Sequence, residues 1–158
     1  MNYQYLDSPI GRLRLVSDGA HITRIEFEDM YEIDPGDLEQ NDPALRACTA
    51  QLGEYFHGDR SEFDLPLAPG GTDFQRSVWH ALIAIPYGSV RSYREIASML
   101  DKPKAVRAVG AANGRNPIPI VVPCHRVIGS DGSLTGFAGG LEAKRVLLEL
   151  EGAISSGQ

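Results

Sequence analysis

The chain has 158 residues, 42% of them apolar, and a formal net charge of -6. That length fits one ordinary domain or two small ones, and the apolar share supports a buried core, which excludes a disordered chain. Two cysteines, Cys48 and Cys124, exclude a disulfide-dense scaffold and a cysteine-rich zinc site.

A reducing compartment fits that cysteine usage, and a cytoplasmic location is expected. No apolar run nears the roughly 20 residues of a membrane span, and Met1 to Ser8 lacks the basic, apolar character of a secretion signal. Charge is unevenly spread. Residues 1–72 carry five Lys and Arg against fourteen Asp and Glu, whereas residues 91–126 carry seven basic side chains against two acidic ones. An acidic half followed by a basic stretch suggests a polyanion at one face, with a plain solvated patch as the alternative.

In chain order, Tyr3–Leu6, Arg12–Val16 and His21–Glu28 read as antiparallel strands, separated by Ser8-Pro9-Ile10-Gly11 and Ser17-Asp18-Gly19 turns. Asp29 to Asp42 reads as an acidic loop with room for a short helix. Pro43 to Phe56 places Leu45, Cys48, Leu52 and Phe56 on one helical face, and Gly58 stops it. Phe63, Leu65 and Leu67 alternate as one more short strand. Pro66, Pro69, Gly70 and Gly71 mark a linker, which divides the chain into residues 1–69 and 70–158.

The second half reads as mainly helical. Thr72 or Asp73 can cap a helix running to Ile85, ended by Pro86-Tyr87-Gly88. Ser92 with Glu95 forms a capping box for a helix from Tyr93 to Leu100. Pro103 suits the first turn of the next helix, Lys104 to Ala112. Two short helices so closely joined predict a helix-turn-helix. Asn116 to Val122 is Pro-interrupted and extended, Ser130-Asp131-Gly132-Ser133 is a turn, and a last helix spans Leu141 to Glu151. The expected fold class is α+β: a small antiparallel-sheet domain, then a helical domain with a winged-helix-like helix-turn-helix.

Two features carry chemistry. Ala105, Ala108, Gly110, Ala111 and Ala112 leave the second helix of the pair almost without bulk, apart from Arg107 and the inward Val106 and Val109. Such a helix approaches another surface closely, either a neighbouring helix or a nucleic-acid groove that Arg107 enters. The second feature is Pro123-Cys124-His125-Arg126. A cysteine attacks as its thiolate, and an imidazole nearby can take the proton. Adjacent residues in an extended segment point apart, so a turn or a bridging water is required. A buried structural cysteine is the other reading of Cys124, and it is the reading given to Cys48 on its apolar helix face.

Pro123-Cys124-His125-Arg126-Val127, following Asn116-Pro117-Ile118-Pro119-Ile120, resembles the active-site signature of the O6-alkylguanine-DNA alkyltransferases. Ser92-Tyr93, Lys104-Ala105-Val106-Arg107-Ala108-Val109-Gly110, Gly139-Gly140 and Glu151 are similar to that family too. The motifs run from about Thr72 to Gly152, while the N-terminal part is compatible but carries no diagnostic motif. The resemblance implies direct-reversal repair. Double-stranded DNA is bound through the minor groove, O6-alkylguanine is flipped out, and its alkyl group passes irreversibly to Cys124 in a single turnover. O4-alkylthymine is expected as a second substrate.

It also implies roles by residue. Arg107 fills the gap left by the flipped base. Tyr93 aids rotation and donates to the guanine, and Arg94 and Ser130 contact the DNA. His125, Glu151 and a water form a relay to Cys124, and Asn116 shapes the turn. The Val127 carbonyl accepts from the exocyclic amine, and amides around Phe137 and Ala138 donate to O6. Phe137 departs from the tyrosine of some members. His21, His57, His80 and His125 come with no cysteine cluster, so neither a structural zinc nor any cofactor is expected, and the free protein is expected to be a monomer. A non-catalytic lesion sensor of the same fold is the alternative, against which Cys124 itself argues, because such sensors replace the acceptor cysteine. A Cys-His hydrolase and a winged-helix regulator are further alternatives, and the small-residue helix bearing Arg107 argues against the hydrolase.

Overall fold

The computed structural model describes residues 1–155. They form two compact units, Met1–Gly70 and a second from Gly71 onward. In the first, β1 (Asn2–Ser8), β2 (Gly11–Ser17), β3 (Ile22–Glu26) and β4 (Leu38–Glu39) form a sheet of order β3-β2-β1-β4, the first three as an antiparallel meander. Gly11 turns the first hairpin at φ 103, a conformation that suits glycine. β4 adds a short parallel edge beside Asn2 and Tyr3, so the sheet is mixed rather than purely antiparallel.

Helix α1 (Pro43–Phe56) packs on this sheet through Leu45, Cys48, Leu52 and Tyr55. Its cap, Asp42, accepts from the Leu45 amide at 2.8 Å and also from Ser17 Oγ at 2.7 Å and Asn2 Nδ2 at 2.9 Å. The cap therefore fastens the helix start to the strands as well as satisfying it.

The acidic stretch 29–42 contains no helix. Arg14, fully buried, organises it by donating to Glu26 Oε1 at 2.5 Å, Asp37 Oδ2 at 2.9 Å and the Glu32 carbonyl at 2.9 Å. Nor do Phe63, Leu65 and Leu67 form a strand; only Leu67 bridges to Ile22. Pro66 has no amide to donate, so the ladder cannot extend through it.

Cys48 has no exposed surface, and burial pushes its thiol up from 9.0 to about 12. Between those pH values the unfolded chain loses a proton that the folded unit keeps, so stability falls as pH rises across the window. Cys48→Ala should make that fall shallower by up to one proton, about 1.4 kcal/mol per pH unit. Urea midpoints measured from pH 9 to 11 check this, and an unchanged slope would contradict it.

The second unit contains α2 (Asp73–Ile83), β5 (Arg91–Ser92), α3 (Tyr93–Met99), α4 (Val106–Gly114), a 3-10 turn (Cys124–Arg126), β6 (Val127–Ile128) and α5 (Leu141–Leu150). Reciprocal capping boxes start α2, from Thr72 and Gln75, and α3, from Ser92 and Glu95. Helices α2, α3 and α4 pack on one another, and Trp79 Nε1 donates to the Ala112 carbonyl at 2.8 Å across the α2–α4 contact.

Helix α4 begins two residues later than the sequence suggested. Pro103 and Lys104 belong to a turn closed by the Ala105 amide on the Lys102 carbonyl at 2.9 Å, and Ala105 offers no side chain to cap an earlier start. β5 and β6 pair in parallel, with Ser92 opposite Ile128. That pairing sets Tyr93, the first residue of α3, beside the strand that follows the Cys124 turn.

Candidate active site

Cys124 sits at the start of the 3-10 turn, behind a segment that Asn116 holds in shape. Asn116 Nδ2 donates to the Val122 carbonyl at 2.8 Å, and its Oδ1 accepts from the Ile118 amide at 3.0 Å. The segment is a compact turn rather than the expected extended run. The Val122 amide reaches the Ile118 carbonyl at 2.9 Å, and Ile120 lies at φ 74. A β-branched residue in that region carries strain of about 1–3 kcal/mol, held by the buried surroundings.

Burial pushes the Cys124 thiol up to about 11, while a hydrogen bond from Asn116, the charge of Lys144 and the local backbone amides pull it down. The resting thiol is therefore protonated, and its proton must leave as it reacts.

His125 is buried with no exposed surface. Its Nε2 faces Glu151 Oε2 at 2.7 Å, and its Nδ1 has no partner among the described residues. Burial first, with the charges of Arg126 and Lys144, lowers the His125 pKa against the opposing pull of Glu151. The neutral ring with its proton on Nε2, donated to the carboxylate, leaves Nδ1 as an acceptor.

Glu151, the C-cap of α5, is buried rather than a surface charge. Arg126 grips it with two donors, Nε to Oε1 at 2.8 Å and Nη2 to Oε2 at 3.0 Å, and sends Nη1 to the Ile85 carbonyl at 2.7 Å. Arg126 thus ties the turn to the end of α5 and to Ile85, two residues beyond α2. The sequence reading quoted Arg126 and gave it no task.

Lys144 was missed altogether. It is fully buried on α5, on the face of Leu147 and Leu148, and a lysine at that spacing was the available signal. Its Nζ donates to the carbonyls of Val127 at 2.6 Å, Thr135 at 2.7 Å and Gly136 at 3.4 Å. Burial lowers its pKa from 10.5 to about 8, against which the Cys124 charge acts.

A small pocket ends on Cys124 and is walled by Asn113, Gly114, Asn116, Pro119, Gly136, Phe137 and Ala138. Phe137 and Ala138 therefore stand where a pocket was expected. Val127 does not line it, because its side chain is buried and its carbonyl is held by Lys144.

Lys144→Met should loosen the Thr135–Ala138 wall and strand the buried Val127 carbonyl. The expected result is a loss of about 1–3 kcal/mol in unfolding free energy, with slower alkylation of Cys124. Parent-like values for both would contradict this role.

Tyr93 reaches the same wall. Its hydroxyl donates to the Thr135 carbonyl at 3.1 Å and takes Thr135 Oγ1 at 3.3 Å. Gly110 of α4 lies beneath the ring, where an added Cβ would come within 3.8 Å of it. Arg94, Arg107 and Ser130 are exposed and are not drawn into the pocket. Arg107 shares the exposed face of α4 with Ala108, Ala111 and Gly114, so the guanidinium rises from a low surface.

Two family descriptions match the chain. "6-O-methylguanine DNA methyltransferase, ribonuclease-like domain" covers residues 1–69, and "6-O-methylguanine DNA methyltransferase, DNA binding domain" covers 73–153. The chain belongs to the 6-O-methylguanine DNA methyltransferase family. Among its relatives, the methylated-DNA–protein-cysteine methyltransferase of Methanosarcina barkeri is 51% identical over 154 residues, covering 96% of this chain and 97% of that one. The same-named protein of Mycobacterium bovis is 50% identical, covering 96% and 92%. The crystal structure of Mycobacterium tuberculosis OGT in complex with DNA superposes with a TM-score of 0.90 at 48% identity, covering 97% of this chain and 94% of that one. The pocket that Cys124 lines lies within residues 73–153, the part matched by the DNA binding domain description.

Proposed function

We propose that this protein repairs alkylated DNA by direct reversal, moving the alkyl group of O6-alkylguanine, and of O4-alkylthymine, onto its own Cys124. The observation that carries this reading is the nucleophile itself, a thiol at the end of a pocket, backed by a neutral imidazole whose far side is fixed by a buried, arginine-held carboxylate.

The duplex meets the α3–α4 helix-turn-helix at its minor groove. The low face of α4 permits close approach without reading sequence, and Arg107 enters the space of the extruded nucleotide, while Arg94 and Ser130 contact the backbone. Chemistry on an atom inside a stacked pair requires that extrusion. The flipped guanine lies between Tyr93 and the wall at Phe137 and Ala138, whose amides donate to O6.

The proton on Cys124 Sγ passes through one water to His125 Nδ1. Glu151 stabilises the resulting imidazolium, and Arg126 keeps the carboxylate ionised and aimed. The S–C bond forms in line as the C–O6 bond breaks, and the electron pair leaves on guanine. A hydrogen bond from Tyr93 to a ring nitrogen disperses that charge. The product is a thioether, which has no polarised carbonyl for water to attack. The thiol is not regenerated, and each molecule acts once.

Titrating the protein with methylated duplex tests the reading. Product should plateau at one alkyl group per chain for the parent and for Cys48→Ser, with none for Cys124→Ser. A plateau well above one would overturn single turnover, and transfer by Cys124→Ser would overturn the assignment of the acceptor.

A further inference from the structure

Thr135 has no part in the chemistry proposed above, yet its carbonyl and its hydroxyl both meet the one phenol assigned to the substrate. Its carbonyl accepts the Tyr93 proton at 3.1 Å, and its Oγ1 lies 3.3 Å from Tyr93 Oη, as donor to it. The same carbonyl holds Lys144 Nζ at 2.7 Å.

We propose that Thr135 is a positioning residue for Tyr93, fixing the phenol at the pocket mouth and strengthening it as a hydrogen-bond donor to the departing guanine. This inference rests on the donor role given to Tyr93 above. The parent hydroxyl has one proton, parked on the Thr135 carbonyl. When a ring nitrogen arrives, that proton turns to it and stays on Oη throughout. Two things make the exchange easy. The vacated carbonyl keeps Lys144 as its donor, so no acceptor is stranded. The Thr135 hydroxyl continues to donate to Oη, and a phenol that accepts a hydrogen bond becomes a better donor in turn. Rigid neighbours preserve the geometry. Tyr93 is set by the β5–β6 ladder at its helix start, and Gly136, at φ 53, lies beside the hydroxyl, where an added Cβ would sit at an ordinary contact distance of 3.8 Å.

The test is a double-mutant cycle of single-turnover transfer rates with saturating protein on methylated duplex, using Thr135→Val, Thr135→Ser, Tyr93→Phe and the Thr135→Val/Tyr93→Phe pair. Thr135 is exposed and valine keeps its shape, so folding is preserved, and melting curves verify it. Thr135→Val should slow transfer about fivefold, the size of one neutral hydrogen bond, and Thr135→Ser should restore most of the rate. In the Tyr93→Phe background Thr135→Val should cost nothing further. A Thr135→Val rate equal to the parent, or a loss that persists undiminished without the phenol, would overturn the inference while leaving Tyr93 as donor. A Tyr93→Phe rate equal to the parent would overturn the reading of Tyr93 itself, and the inference with it.

Discussion

Replacing Glu151 by Gln should slow alkyl transfer at pH 7 far more than it weakens DNA binding, and should also destabilise the fold. The carboxylate serves two buried cations or potential cations at once. Both its oxygens face Arg126, and one faces His125 Nε2. Glutamine removes the negative charge and turns one acceptor into a donor aimed at a donor. Arg126 keeps only neutral partners, the remaining amide oxygen and the Ile85 carbonyl. Breaking a buried ion pair by removing one partner costs about 3–5 kcal/mol, because the remaining charge has no water to turn to.

The same change removes the group that would stabilise an imidazolium. The proton on a thiol held near 11 then has a poorer destination, and an unassisted thiol is mostly protonated at neutral pH. Arg107 is exposed on α4 whereas Glu151 is buried at the end of α5, so affinity for duplex should change little in whatever fraction remains folded. Denaturant unfolding, duplex titration and single-turnover transfer, all below the variant's melting range, separate the three effects. Parent-like transfer would remove Glu151 from the mechanism, and parent-like stability would contradict the Arg126 pairing.

Arg107→Ala carries the second large effect. Six basic side chains from Arg91 to Arg115 are available for phosphate, Arg126 being buried against Glu151. If Arg107 were one of several equivalent phosphate ligands, its loss would weaken binding modestly and reduce the salt slope by about one contact. A finger that occupies the vacated space does something else. Unstacking a base costs a few kcal/mol, least for a damaged one, and the finger offsets that cost. Without it the extrahelical state is depopulated, so transfer from duplex should fall by more than binding does. Free O6-alkylguanine needs no flipping, and its slower reaction should barely change. Arg107→Lys should rescue only in part, because an ammonium on a thin stem fills the gap less well than a planar guanidinium. Equal losses on duplex and on free base would show that Arg107 supports the fold or the pocket instead.

Local signals were legible where the chain itself carries the cause. Ser92 with Glu95 starts α3 through contacts three residues apart, Thr72, one of two cap candidates, starts α2, and Pro43 opens α1 where sequence spacing placed it. Cys124, Asn116, His125 and Glu151 were nameable through motif resemblance, and the structure brings them to one turn and one helix end. What stayed hidden depends on partners distant in sequence. Arg14 organises the acidic loop from the middle of a strand, across gaps of 12 to 23 residues. β4 exists because that loop is pinned beside β1, which no local propensity announces. Glu151 reads as a surface charge at a helix end until Arg126 and His125, 25 and 26 residues earlier, are placed against it. Lys144 stays hidden because lysine is expected in water, although its helical spacing puts it among leucines.

Transfer to Cys124 is the claim on which the rest depends, and mass spectrometry of the protein after incubation with an excess of duplex carrying O6-methylguanine tests it most directly. The expected spectrum shows one added methyl group per chain, carried by the peptide that contains Cys124, with the Cys48 peptide unmodified and nothing added to Cys124→Ser. An unmodified Cys124 peptide alongside demethylated DNA, or a methyl group found on Cys48, would contradict it.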